Sequence, residues 1–235
     1  MLKTILEIAV FNIESAISAF AAGADRIEFC ENPMEGGTTP SYGSLKTLIH
    51  KTKTPVFPII RPRGGDFLYS DDEFDSMKSD LLLIKDLGYP GAVIGLLKKD
   101  GHIDIDRTAA LVSIAGNMEI TFHRAFDVVS KPKESLLQLL NLGVDRLLTS
   151  GQQEKAEDGI DLLIELQKLA KNKITILPGS GINSENCIHF KNNGFTEIHS
   201  SASKIISSST HSYFGNTPQT VSDVDTIKNM LDTIA

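Results

Sequence analysis

Gly23-Ala24-Asp25-Arg26-Ile27-Glu28-Phe29-Cys30 compresses a helix end, a tight turn and a strand into one short string. Gly23 closes an amphipathic stretch over 12–22, because glycine accepts the left-handed conformation that ends many helices. Two residues later the pattern alternates. Ile27 and Phe29 fall on one face of a strand, and Arg26, Glu28 and Cys30 on the other. The apolar face must pack under helices, so the charged face points the other way, into a space enclosed by the sheet. A strand with a carboxylate and an arginine on its inner face suits a closed barrel with a polar interior.

The same grammar recurs outward along the chain. Gly143-Val144-Asp145-Arg146 repeats the helix end and turn, and Gly88-Tyr89-Pro90-Gly91 and Gly194-Phe195-Thr196 vary it. Strands are predicted at 5–10, 25–30, 56–61, 91–95, 119–123, 145–149, 174–178 and 196–200. Helices are predicted between them at 12–22, 41–51, 71–87, 104–115, 132–141, 156–170 and 183–192. Strands joined by helical crossovers require a parallel sheet. The predicted fold class is α/β, a single (β/α)8 TIM barrel near the lower size range of that architecture. A doubly wound open sheet is the alternative. The turns that lead into strands are tight, whereas the loops at 31–40 and 62–70 are long, and barrels carry function on the side of the long loops.

Residues 1–203 are read as the barrel core. Residues 204–235 are read as a C-terminal loop and final helix of the same domain. Within that tail, 205–220 is rich in Ser and Thr and reads as a loop, and 221–234 reads as a helix with Ser222 at its N-cap.

The chain has 235 residues, 41% of them hydrophobic and 23% charged, which excludes disordered and fibrous classes. Its formal net charge of −7 opposes phosphate backbones, and no Lys/Arg cluster offsets it, so no nucleic-acid partner is expected. No apolar run approaches a bilayer span, and the N-terminus lacks a signal-peptide pattern, so no membrane partner is expected either. The two cysteines, Cys30 and Cys187, form no CxxC and no disulfide framework, in keeping with a reducing cytoplasm.

Chemistry gathers at the strand ends. Glu7 and Glu28 come from adjacent strands. Two carboxylates in a low-dielectric interior cannot both ionise freely, which suits general acid–base work, or they join Arg26 and Arg61 in a buried ion-pair network. Arg61-Pro62-Arg63-Gly64-Gly65-Asp66 sets two guanidinium forks around a rigid proline. They suit a carboxylate or phosphate, or a structural bridge to Glu28 or Asp66. His123-Arg124-Ala125-Phe126-Asp127 adds an imidazole that can exchange protons near neutral pH, with Arg124 and Asp127 able to orient it or a ligand. Catalytic candidates are therefore Glu7, Glu28, His123 and Asp127.

Loops after the seventh and eighth strands bind phosphate in many barrels. The candidates there are Gly179, Ser180 and Gly181, then His199, Ser200 and Ser201, with Ser150 as a further polar rim after the sixth strand. Together with Arg61, Arg63 and Arg124 they form the ligand-binding set. Cys30 is the one metal candidate on the polar face and could serve Cu(I). A Mg²⁺ on Glu7, Glu28 or Asp127 is a weaker alternative, without repeated carboxylates.

These strings resemble the CutC family, named for copper homeostasis. The matching residues are Gly23-Ala24-Asp25-Arg26-Ile27-Glu28 with Cys30, Glu35-Gly36-Gly37 with Thr39-Pro40-Ser41, and Ile60-Arg61-Pro62-Arg63-Gly64-Gly65-Asp66-Phe67 with Tyr69-Ser70. Thr121-Phe122-His123-Arg124-Ala125-Phe126-Asp127, Leu148-Thr149-Ser150-Gly151 and His199-Ser200-Ser201-Ala202 complete the set. The resemblance spans about residues 4–203. It implies a (β/α)8 barrel, a cytoplasmic homodimer, and copper as the bound metal, through cysteines. Some members carry a cysteine soon after the first-strand glutamate, but here that stretch is Glu7-Ile8-Ala9-Val10. The best-matched residues are Glu, Arg, His, Asp and Gly, a set suited to an oxyanionic organic ligand.

Three functions are therefore expected to compete: an enzyme acting on a small phosphorylated or carboxylated metabolite, a Cu(I)-binding protein, and a regulatory barrel that binds without turnover. Lysine is absent from the predicted strand interiors, which argues against Schiff-base chemistry.

Overall fold

Each predicted strand forms, and each is short because both of its faces are covered. A computed structural model describes residues 3–208 and 218–235. Its barrel strands are β1 (Ile5–Val10), β2 (Arg26–Phe29), β3 (Val56–Pro58), β4 (Gly91–Ile94), β5 (Glu119–Phe122), β6 (Arg146–Thr149), β7 (Thr175–Pro178) and β8 (Glu197–Ser200). The crossover helices are α1 (Ile13–Ala22), α2 (Tyr42–Leu48), α3 (Asp71–Asp86), α4 (Ile105–Ala115), α5 (Pro132–Leu142), α6 (Ile160–Ala170) and α7 (Cys187–Asn192).

Local chemistry sets the helix limits. Asn12 caps α1 by accepting from the Ser15 N–H at 2.7 Å, and Gly23 ends it at φ 93°. Ser70 and Glu73 close a reciprocal capping box on α3. Helices α6 and α7 start later than predicted. Ala156 N–H instead donates to Ser180 O, and Asn183 Oδ1 accepts from the N–H groups of Glu185 and Asn186. Asparagine competes in this way with the helix it precedes.

The strands form two parallel four-stranded arcs, β3-β2-β1-β8 and β4-β5-β6-β7. A parallel bridge between Ile59 and Val93, with Ile60 N–H donating to Val93 O at 2.8 Å, joins β3 to β4. At the other seam β7 lies beside β8. The ring therefore runs in chain order, as a (β/α)8 barrel requires. Leu6, Ile8, Ile27 and Phe29 point outward into the layer under the helices and are buried. Cys30, Phe57, Ile59 and Val93 form a separate apolar cluster inside the ring.

The inner floor is ionic. Arg26 pairs with Glu7 and Glu197, and Arg146 pairs with Glu197 at 3.0 Å and with Glu119. Both guanidiniums lie over the Phe57 ring, at 5.5 and 5.2 Å from its centre.

The tail departs from expectation. Ser203–Ser208 (β9) and Pro218–Ser222 (β10) form an antiparallel ribbon, with a bulge at Gln219/Thr220, where the sequence predicts a loop over 205–220. The remainder of that predicted loop, 209–217, lies outside the described residues. Ser222 N–H donates to Ser15 Oγ and Asn12 Nδ2 donates to Thr220 O, which seats β10 on α1. The last helix, α8 (Val224–Ile234), is capped by Asp223, whose side chain accepts from Thr226 N–H. Ser222 is not its cap, because its backbone still belongs to β10.

Candidate functional site

Side chains on the inner faces of the strands, and loops at their C-terminal ends, enclose a cavity of about 570 Å³. That is the size of a small-molecule site. Its wall includes Ala9, Glu28, Cys30, Arg61, His123, Arg124, Asp127, Ser180, Gly181, His199, Ser200 and Ser201. No lysine lines it among the described residues.

Glu28 and His199 line the cavity, and Glu7 lies outside its wall, against His199. Strand β8 pairs with β1 in a register that sets His199 opposite Glu7. His199 Nδ1 bonds Glu7 Oε1 at 2.7 Å, and His199 Nε2 lies 3.7 Å from Glu28 Oε2. All three are buried. Burial by itself would raise the Glu7 carboxyl, but Arg26 and His199 overcome it and hold Glu7 at about 2. Glu28 lacks such a partner. Burial and the Glu7 charge push it up to about 7, against the pull of His199 and Arg26. The His199 imidazole is raised: burial lowers it, but the bond to Glu7 and the two carboxylate charges outweigh that. Two carboxyl groups on adjacent strands are thereby driven apart, one fixed as an anion and one poised near neutrality.

His123 is held differently. It follows β5 and accepts the Ala125 N–H on Nδ1 at 3.0 Å. Burial, and then the Arg61 charge, lower its pKa to about 3. The ring is neutral at physiological pH and carries its proton on Nε2. That nitrogen is buried and has no hydrogen-bond partner among the described residues. Phe67 packs on the ring at 5.1 Å. Gly95 leaves it room, since a Cβ there would fall 2.2 Å from the ring's Cε1.

Arg61 is buried and ties the two long loops together. Nη1 donates to Glu35 O at 2.6 Å and Gly37 O at 2.7 Å, and Nη2 donates to Gly65 O at 3.0 Å. Its Nε is buried without a partner, and no carboxylate pairs with it among the described residues. The Glu35 carboxylate instead accepts the Gly64 N–H. A buried cation compensated only by carbonyls and by the Phe67 ring 5.1 Å away, with no counter-charge, is an anion-seeking group.

The other candidates divide. Arg63 is outside the cavity wall, with its fork committed to Glu73 and Asp66. Asp127 reaches the cavity, but its oxygens accept from Arg124, Thr149, Ser150 and Gln152. It anchors the 149–152 turn. Ser150 is buried behind that anchor and is not in the wall. Ser180, at φ 88°, bonds Glu154 O and lines the cavity with Gly181. Gly179 sits behind them, against Leu148 and His199. Ser200 donates to Ile182 O, and Ser201 opens to the cavity. Sequence reasoning missed Phe11, Ile59, Phe67, Val128, Leu148 and Ile182, which with Ala9 supply the apolar part of the wall. Inward alternation could have revealed Ile59 and Leu148. Phe11 and Phe67 sit in loops, where periodicity gives no signal.

Cu(I) favours soft donors, preferably two, and a cysteine must shed its proton to serve as one. The Cys30 thiol is pushed well above its usual range by burial and by the Glu28 and Glu7 charges, against Arg61. Cys187 lies in the sheet–helix layer on α7, apart from the inner cluster that holds Cys30. Among the described residues no three His, Cys, Asp or Glu groups are placed to hold a metal ion. The donor set fits neither Cu(I) nor the Mg²⁺ alternative.

Among the described residues no helix is long and apolar enough to cross a membrane. The model of the CutC family matches residues 4–204. A CutC family protein of Photorhabdus laumondii is 48% identical over 223 residues, which cover 94% of this chain and 90% of that relative. The crystal structure of CutC from Streptococcus agalactiae, whose name refers to copper homeostasis, matches with a TM-score of 0.80 at 33% identity. The match covers 84% of this chain and 98% of that one. Thiamine phosphate pyrophosphorylase from Pyrococcus furiosus matches with a TM-score of 0.60 at 16% identity, covering 98% of this chain and 95% of that one, which shows a shared fold alone.

Proposed function

The chain belongs to the CutC family, and on that premise we propose that its barrel mouth binds a small phosphorylated or carboxylated metabolite and moves protons on it. One observation carries the reading: a buried Arg61 without a carboxylate partner and a buried Glu28 carboxyl poised near neutrality line the same cavity. Arg61 supplies the charge that an oxyanion needs, and Arg124, Ser180, Gly181 and Ser201 offer polar groups around it. Glu28 supplies a group that can both take and return a proton near neutral pH. Glu7 and His199 position it. Residence in the cytoplasm and a homodimeric state are part of the proposal and rest on the family resemblance.

Copper homeostasis is the role that the name of the Streptococcus agalactiae relative carries. The specific observation on its side is that Cys30 lies in the cavity wall. Against it stands a protonated thiol without a second soft donor beside it.

Titrations with orthophosphate and malonate, followed by NMR, separate the readings from a parallel Cu(I) titration against a competing chelator. The expected result is saturable anion binding, weakened at least tenfold in Arg61→Leu. Weak Cu(I) uptake, unchanged in the Cys30→Ser, Cys187→Ser double variant, is expected alongside it. Tight stoichiometric Cu(I) binding lost with Cys30, and no anion binding, would reverse the conclusion.

A further inference from the structure

We propose that the cavity is built to enolise its ligand: the bound anion carries a carbonyl with a C–H on the neighbouring carbon, and the protein moves that proton. This rests on the anion-binding reading above and deepens it to a substrate class and a reaction type.

The argument starts from His123. Because Nδ1 accepts the Ala125 N–H, the neutral ring's proton sits on Nε2, buried in the cavity wall without an acceptor. A buried donor left unmade is costly, so a site that keeps one holds it for an oxygen that arrives with the ligand. Phe67 and the space left by Gly95 fix the ring plane. A fixed, neutral N–H donor suits an oxygen on which negative charge develops during reaction, because it stabilises that charge without surrendering its proton beforehand.

Glu28 lies on β2 and His123 follows β5, three strands away around a ring of eight. Both line the same cavity, so a ligand held between them meets an acceptor of protons on one side and a donor to oxygen on the other. Arg61, already buried there, holds the ligand's anionic end. Among the described residues no lysine lines the cavity to form an iminium, and the hydrogen-bonded oxygen is the electron sink the wall provides.

The step balances without a co-reactant. The Glu28 carboxylate takes the proton from carbon. The C–H electron pair becomes the new C=C bond, and the carbonyl π pair moves to oxygen, where His123 Nε2–H receives it. Reprotonation of the same carbon by Glu28 returns the ligand with its C–H exchanged; where that carbon bears a hydroxyl, Glu28 delivers the proton instead to the former carbonyl carbon while the hydroxyl proton passes to the other oxygen, and the carbonyl has moved by one carbon. No atom is lost and no external oxidant or reductant is needed, so the class is a proton-transfer isomerase.

Dihydroxyacetone phosphate and hydroxypyruvate, each incubated with the full chain in D2O, test the inference by proton NMR. Binding is followed independently by saturation transfer. Saturable exchange of the C–H α to the carbonyl is expected with at least one probe, reduced at least 100-fold in Glu28→Gln with binding retained. Should Glu28→Gln not fold, Glu28→Asp keeps the carboxylate but withdraws it by one methylene, and slower exchange with unchanged binding is expected. His123→Asn should also slow exchange more than it weakens binding. Saturable binding of a probe with no exchange above buffer would overturn enolisation while leaving an anion-binding barrel. Absence of binding by both probes would remove the anion pocket and the inference together. Exchange indifferent to Glu28 would overturn the assignment of that residue.

Discussion

Replacing Glu28 with glutamine changes the pH dependence of stability in a way that reports directly on the buried carboxyl. Folding raises Glu28 from its ordinary 4.5 to about 7. Between those values the folded protein holds a proton that the unfolded chain has released. Stability therefore falls with rising pH across this window, at about 1.4 kcal/mol per unit. Over roughly 2.5 units the loss reaches about 3 kcal/mol, complete above about pH 7. A glutamine side chain keeps the shape and carries no proton to lose. The stability of Glu28→Gln relative to wild type should be level below about pH 4, climb by about 3 kcal/mol between about pH 4.5 and 7, and level off again. His123 acts with the opposite sign. Its folded value of about 3 makes the unfolded chain the better proton acceptor below 6.5, so its contribution is lost as pH falls. It is present in both proteins, so the difference curve removes it. Reversible urea unfolding at fixed ionic strength, repeated from about pH 4 to 8.5, gives the curve. Two parallel profiles with a constant offset would refute the idea that burial and Glu7 keep Glu28 protonated.

Three further outcomes follow from the same geometry. Arg26→Met leaves Glu7 and Glu197 with too few partners at the ionic floor and should cost about 3–5 kcal/mol in urea unfolding; a cost under about 1 kcal/mol would show that the network is dispensable. Arg61→Leu removes three charge-assisted bonds to loop carbonyls and should destabilise by about 2 kcal/mol while abolishing the response to orthophosphate, so full retention of that response would place the anion elsewhere. Gly95→Ala drives a methyl into the His123 ring and should cost about 1–3 kcal/mol and shift the His123 imidazole resonances, which must stay put if the ring is not held there.

The positions of the candidate residues were largely legible in the sequence, and their partners were not. Alternation with period two put Glu7, Glu28 and His199 on inner faces, because a strand sends successive side chains to opposite sides. Nothing in that pattern says that His199 meets Glu7 across 192 residues of chain; closure of the ring, which sets β8 beside β1, decides it. The sequence left Glu7 and Glu28 as equivalent carboxylates. The tertiary structure separates them, because Arg26 reaches Glu7 by a hydrogen bond while Glu28 has only a more distant imidazole.

Arg61 and Arg63 show the limit most plainly. They flank one proline and read alike, yet one faces the cavity and the other pairs with Glu73 on α3. The ribbon at Ser203–Ser208 and Pro218–Ser222 escapes the sequence for a related reason. Ser and Thr mark loops by local preference, whereas strand pairing depends on a partner supplied from elsewhere in the chain. Period, length and the glycines that end helices are local properties, and they determined the barrel. Charge states, the orphaned His123 N–H and the choice between twin arginines depend on burial and on neighbours distant in sequence, so only the folded chain decided them.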